Sequence, residues 1–157
     1  MAQPTALHST FVLERSFPVP PERVFQAFAD PAQKRRWSIE GGSHTVDFFE
    51  LDFRVGGKER TGIHLGPGTP VAGLACVNDV TYLDIVSNRR IAFAAAMSIA
   101  GNCISASLAT VELLPNATGT DLIFTHQSAF FEGADGPKMR EAGWNLLLDN
   151  LTTELAR

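Results

Sequence analysis

Apolar and polar residues alternate with period two through most of this chain. A helical period appears only near its two ends. In "TFVLERSF" (10–17), Phe11, Leu13, Arg15 and Phe17 share one face, while Val12, Glu14 and Ser16 share the other. That is the pattern of a half-buried strand. Pro18, Pro20 and Pro21 then forbid further sheet pairing. Pro21 suits the first turn of a helix, and Val24, Phe25 and Phe28 give that helix an apolar stripe. Asp30-Pro31 closes it, because a residue before proline avoids the α region. Asp30 can cap a second short helix starting at Pro31, with Gln33 placed as in a capping box. Lys34, Arg35 and Arg36 load its negative end, and Trp37 follows.

From Thr45 onward the pattern predicts strand after strand. The segments are 45–53, 59–65, 71–87 with a bulge near Asn78-Asp79, 91–99, 103–114 and 121–131. Turn-forming stretches separate them: "RVGGK", "GPGTP", "NRR", "AGN" and "PNATGT". Loops this short predict an antiparallel meander. After Asp135-Gly136-Pro137, Met139, Gly143, Leu147, Leu151 and Leu155 recur on one face with Trp144, Leu148 and Ala142. This predicts a long C-terminal helix with a broad apolar face. A curved sheet of six to seven strands has one face to bury, and only that helix is long enough to cover it. The two short helices after the first strand would plug an open end of the curl. The fold class is α+β.

The stretches "FVLERSFPVPPERVFQAFADPAQKRRW", "DFRVGGKER", "ISASLATVELLPNATGTDLIFTHQSAFFEGADG" and "GWNLLLDNL" span nearly the whole chain in this order. Together they resemble the helix-grip, START-like (SRPBCC) superfamily. The closest likeness is to the branch named for the activator of the 90-kDa heat-shock-protein ATPase. The resemblance implies a curved sheet wrapped round its last helix. It does not imply one function, because the superfamily includes lipid and hormone binders, aromatase/cyclases and proteins of unassigned activity.

Composition narrows the partners. The 157 residues carry one texture, 45% hydrophobic and 19% charged, so a single domain over 1–157 is expected, with 1–8 flexible. A net charge of −4 argues against nucleic acid, since phosphate binding needs a concentrated basic face. No apolar run reaches the ~20 residues of a membrane helix, and "MAQPTALHST" lacks the basic start and apolar core of a secretory leader. A cytoplasmic protein is expected, with Cys76 and Cys103 as buried thiols. A homodimer through a sheet edge or helix surface stays open.

Nothing in the sequence marks a nucleophile, a nucleotide site or a metal cluster, so no cofactor and no metal are expected. The candidates are polar residues on inward faces. Strand parity puts His126 inward with Leu122 and Phe124. There it either bonds a ligand or is a core histidine satisfied by a neighbour. The resemblance implies a Glu in a "TEQ" stretch at this place; here the residues are Thr125-His126-Gln127. Ser105, Ser107 and Ala109 face inward in a row, leaving either close sheet–helix packing or room for a ligand. Gly143 raises the same alternative, since a helical glycine costs about 1 kcal/mol against alanine. Glu59 points inward with Arg54 as its expected partner. Tyr82 shares a face with Asp84 and could meet a ligand or reach the rim. Trp37 and Trp144 could line a cavity or pack the core. Phe130 and Phe131 sit in a glycine-bearing loop that could gate the cavity or staple the helix.

The expected ligand site is therefore Trp37, Glu59, Tyr82, Phe93, Ser105, Ser107, Phe124, His126, Phe130, Met139, Gly143, Trp144 and Leu147. The expected function is binding of a small hydrophobic or aromatic molecule between sheet and helix. The alternative is a cyclase, dehydratase or hydrolase on a polyketide-like or aromatic substrate, with His126 or Glu59 as acid/base. A co-chaperone-like interaction module ranks third.

Overall fold

The structure, a computed structural model, describes residues 2–157. The element order is β1 (Leu7–Phe17), α1 (Pro21–Ala29), α2 (Pro31–Ser38), β2 (Thr45–Leu51), β3 (Lys58–His64), β4 (Ala75–Val86), β5 (Arg90–Ile99), β6 (Asn102–Pro115), β7 (Thr120–Phe130) and α3 (Pro137–Leu155). All pairings are antiparallel, in the order β1-β7-β6-β5-β4-β3-β2. β1 returns to lie against the last strand, with Leu7 opposite Phe130 and Phe17 opposite Thr120. The α3 helix lies across the concave face, and α1 and α2 close one end. This is the α+β helix-grip fold, with seven strands.

The opening stretch folds as its prolines dictate. Pro21 and Pro31 begin α1 and α2, and the Asp30 carboxylate accepts from the Gln33 amide at 3.1 Å. The Arg36 guanidinium grips the buried Glu154 carboxylate through two bonds, at 2.8 and 2.9 Å, which fixes α2 to the end of α3. Those bonds hold the Glu154 carboxyl below its ordinary range.

The structure corrects several expectations. Leu7 and His8 are paired in β1 rather than flexible; Met1 lies outside the described residues. Residues 71–74 are turn, and β4 starts at Ala75, because Gly73 takes a left-handed φ of 79° and bonds back to Leu65. Asn78 and Asp79 run in regular register on both sides, and the unbroken alternation turns Asp79 outward towards Lys58 and Arg60. The irregularity falls at Leu83, between Tyr82 and Asp84, so those two do not share a face. A second shift lies between Val46 and Phe48, which explains the broken alternation there. Cys103 is exposed beside the β5–β6 turn; Cys76 is buried, and both are free thiols.

Side-chain size along the sheet decides where the interior is solid. The inward residues of β6 step from small to large: Ser105, Ser107 and Ala109, then Val111 and Leu113. On β7, Phe130, Ser128, His126, Phe124 and Leu122 face them. Under the large end, Leu148, Leu151 and Leu155 of α3 pack with Phe17, Val24, Phe28, Val111 and Leu122. Each such leucine contributes about 1.5–3 kcal/mol on burial. Under the small end the helix reaches the sheet through the long side chains of Arg140 and Trp144, and its other residues stand clear. Met139 is 64% exposed, and a Cβ added at Gly143 meets nothing within 4 Å. Gly143 therefore marks open space, and the close-approach reading fails.

Candidate ligand cavity

The hollow has two adjoining lobes of about 250 and 330 Å³, sharing Asn78, Phe93, Met97, Trp144 and Leu147 in their walls. The first reaches under α2 to Trp37, Glu59 and Tyr82. The second runs beneath the N-terminal half of α3 to Ser105, Ser107 and His126, with Met139 and Gly143 at its mouth.

The first lobe ends in a polar cluster whose members bond one another. The Glu59 carboxylate accepts from the Lys34 ammonium at 2.9 Å and from the Tyr82 hydroxyl at 2.5 Å, both on Oε1. Glu59, Tyr82 and Lys34 are all buried. The expected Arg54 partner is instead on the surface, bonded to Asp52 at 2.8 Å. The reason is helical spacing: α2 turns Lys34 and Trp37, three residues apart, to its buried side. Lys34 is therefore not a solvated charge at a helix end. Its ammonium lies 5.4 and 5.3 Å from the Phe28 and Trp37 ring centres, favourable cation–π geometry. The Trp37 indole N–H donates to the Ala27 carbonyl at 2.8 Å, so Trp37 is both core and wall. Burial, and next the Glu59 charge, push the Tyr82 hydroxyl far up. Tyr82 is 2% exposed, so it does not reach the rim.

The second lobe is different. Arg140 is buried, 7% exposed, and its guanidinium forks onto Asp135 at 2.9 and 2.8 Å. It also donates to the Ser105 hydroxyl at 3.0 Å and lies over the Phe130 ring at 5.1 Å. Phe130 is thus covered, and the 131–136 loop is stapled to α3 through Asp135. The Ser107 and Ser128 hydroxyls bond each other at 2.8 Å. His126, 3% exposed, stacks on Phe11 at 4.8 Å and lies 6.3 Å from Trp144. Its Nδ1 is fully buried with no hydrogen-bond partner among the described residues. Burial, and then the nearby Arg140 cation, lower the imidazole to about 4, with Asp135 opposing in part. His126 is therefore inward, as strand parity requires, but no neighbour satisfies it.

Of the thirteen expected site residues, eleven line the lobes. Phe124 and Phe130 stand behind the wall, the Phe124 ring tilted 37° to that of Trp144 with centroids 4.2 Å apart. The sequence reading missed Lys34, Asn78, Met97, Asp135 and Arg140. Arg140 shares its helix face with Trp144 and Leu147, at i+4 and i+7, which was the available signal.

An antiparallel sheet closed over a long helix, with a hollow left between them, defines a START-like helix-grip protein. The sequence profile of the family described as "Activator of Hsp90 ATPase homolog 1-like protein" matches residues 18–156. The chain belongs to that family. Among solved structures it is similar to an uncharacterized protein from Rhizobium leguminosarum, with 39% identity, 97% of both chains covered and a TM-score of 0.88. A protein from Rhizobium loti shares 44% identity over 95% of this chain and 98% of that one, with a TM-score of 0.84. An Aeromonas hydrophila protein described as AHSA1-like shares the fold, with 19% identity, 94% of this chain and 92% of that one covered, and a TM-score of 0.66. No curated protein matches the chain. Among the described residues no helix is long and apolar enough to cross a membrane, and no His/Cys/Asp/Glu group is placed to hold a metal.

Proposed function

We propose that this protein binds a small hydrophobic or aromatic molecule in the hollow between its sheet and α3. The observation that carries the reading is the pair of adjoining lobes walled by Phe93, Met97, Trp144 and Leu147. Ligand sites are mostly apolar concavities with a few convergent polar groups, and this hollow has that character. A tightly packed interior has no use for so much space, because voids forfeit contacts on every lining atom.

An acid/base enzyme is supported less well. An imidazole lowered to about 4 is a weak base at neutral pH. The Glu59 carboxylate is ion-paired with Lys34 and bonded by Tyr82, both through Oε1, so it is not a free base.

The test uses N-phenyl-1-naphthylamine, a neutral fluorophore that brightens in apolar surroundings. Binding should raise its emission, and small aromatic competitors should reverse the rise. The same competitors should lift the melting temperature. No brightening, and no thermal shift with any apolar compound, would refute the reading.

A further inference from the structure

Charge pairing inside the hollow limits what it can hold. The formal charges facing the first lobe, Lys34 and Glu59, bond each other at 2.9 Å. Those facing the second, Arg140 and Asp135, bond each other at 2.8 Å. An incoming carboxylate would meet no unpaired cation, and would lie near Asp135 or Glu59. Burying a charge without a partner is strongly unfavourable. The wall therefore selects against ionised ligands.

One fully buried polar atom in that wall stays unpartnered among the described residues, His126 Nδ1. A buried polar group without a bond is costly, and a ligand hydroxyl recovers the loss where a turn of the ring presents a nitrogen to the lobe. Around the ring stand Phe11, Phe124 and Trp144, at 4.8, 6.0 and 6.3 Å between centroids. Phe11 and Phe124 hold the imidazole from behind, and Trp144, which lines the lobe with Phe93, offers a flat apolar surface suited to an aromatic body. A hydroxyl both donates and accepts, so it matches the neutral imidazole in either tautomer.

We infer that the second lobe is a subsite for an uncharged aromatic molecule bearing a hydroxyl group, with His126 as the residue that selects it. Trp144 and Phe93 hold the ring, and the hydroxyl bonds a ring nitrogen of His126. Arg140 is a positioning residue: through Ser105 and Asp135 it fixes the wall and is not free for the ligand. This inference rests on the cavity-binding reading and adds the chemical class of the ligand.

The test titrates the full chain with naphthalene, 2-naphthol and 2-naphthoate by calorimetry. The expected result is 2-naphthol binding about tenfold more tightly than naphthalene, with 2-naphthoate weakest. In His126→Phe the preference for 2-naphthol should vanish while naphthalene still binds. Should that variant fail to fold, ¹⁵N imidazole NMR of the wild type reads the same point, as a shift of the His126 ring nitrogens with 2-naphthol and not with naphthalene. Equal binding of naphthalene and 2-naphthol would overturn the inference and leave the cavity reading standing. So would tightest binding of 2-naphthoate. Failure of all three compounds would overturn both.

Discussion

The two halves of α3 meet the same sheet and do opposite things. The second half sets Leu148, Leu151 and Leu155 onto Val111, Leu122 and Phe17 with almost no exposure. The first half carries Met139 and Gly143 out over Ser105 and Ser107 and encloses space. The cause is a step in size along the inward face of β6, from Ser-Ser-Ala to Val-Leu. Polar groups follow the same division. Under α2, Lys34 and Tyr82 both bond the Glu59 carboxylate; under the first half of α3, His126 Nδ1 has no partner among the described residues. Stability is concentrated at the filled end, and the unpartnered His126 nitrogen lies at the hollow end, where the proposed ligand would bind.

The comparison can be broken at its strongest point first. Lys34→Met leaves the Glu59 carboxylate buried without its cation, and should lower unfolding free energy by about 3–5 kcal/mol in urea. Adding Glu59→Gln should recover most of that loss. Recovery of nothing would mean that Lys34 acts through packing alone. Leu151→Ala, at a fully buried position, should cost about 2–5 kcal/mol, whereas Met139→Ala at the mouth should cost under about 1 kcal/mol. Equal costs would erase the distinction between the halves.

The pH dependence sharpens the same contrast. Below 6.5 the unfolded chain takes up a proton that the folded imidazole refuses until about 4, so stability falls as pH drops through that window. The loss attributable to His126 should be on the order of 3 kcal/mol. Denaturation curves for His126→Phe should be flatter over this range by that amount, and an unchanged slope would contradict the buried neutral ring. The smallest expected effect is at Gly143→Ala: a gain of about 1 kcal/mol from helix propensity, with naphthalene affinity retained because the new methyl enters open space.

Strand parity made the architecture legible. Alternation on β6 and β7 placed Ser105, Ser107, Phe124 and His126 inward, and the helical repeat placed Trp144 and Leu147 above them. What could not be read was partnership across the fold. Glu59 finds Lys34 25 residues upstream on α2, not Arg54 nearby, because sequence proximity says nothing about which helix face a curled sheet presents to it. Arg140 was passed over because a guanidinium is normally solvated, and its burial depends on Asp135 in the preceding loop. The shift at Leu83 was invisible for the same reason: register is set by the neighbouring strand.

The most direct test is a crystal structure of the protein grown with 2-naphthol. The account predicts the rings between Trp144, Phe93 and Met97, with the oxygen within about 3.2 Å of a His126 ring nitrogen. A second lobe filled by rearranged side chains, or a naphthol bound elsewhere with His126 still unpartnered, would contradict it.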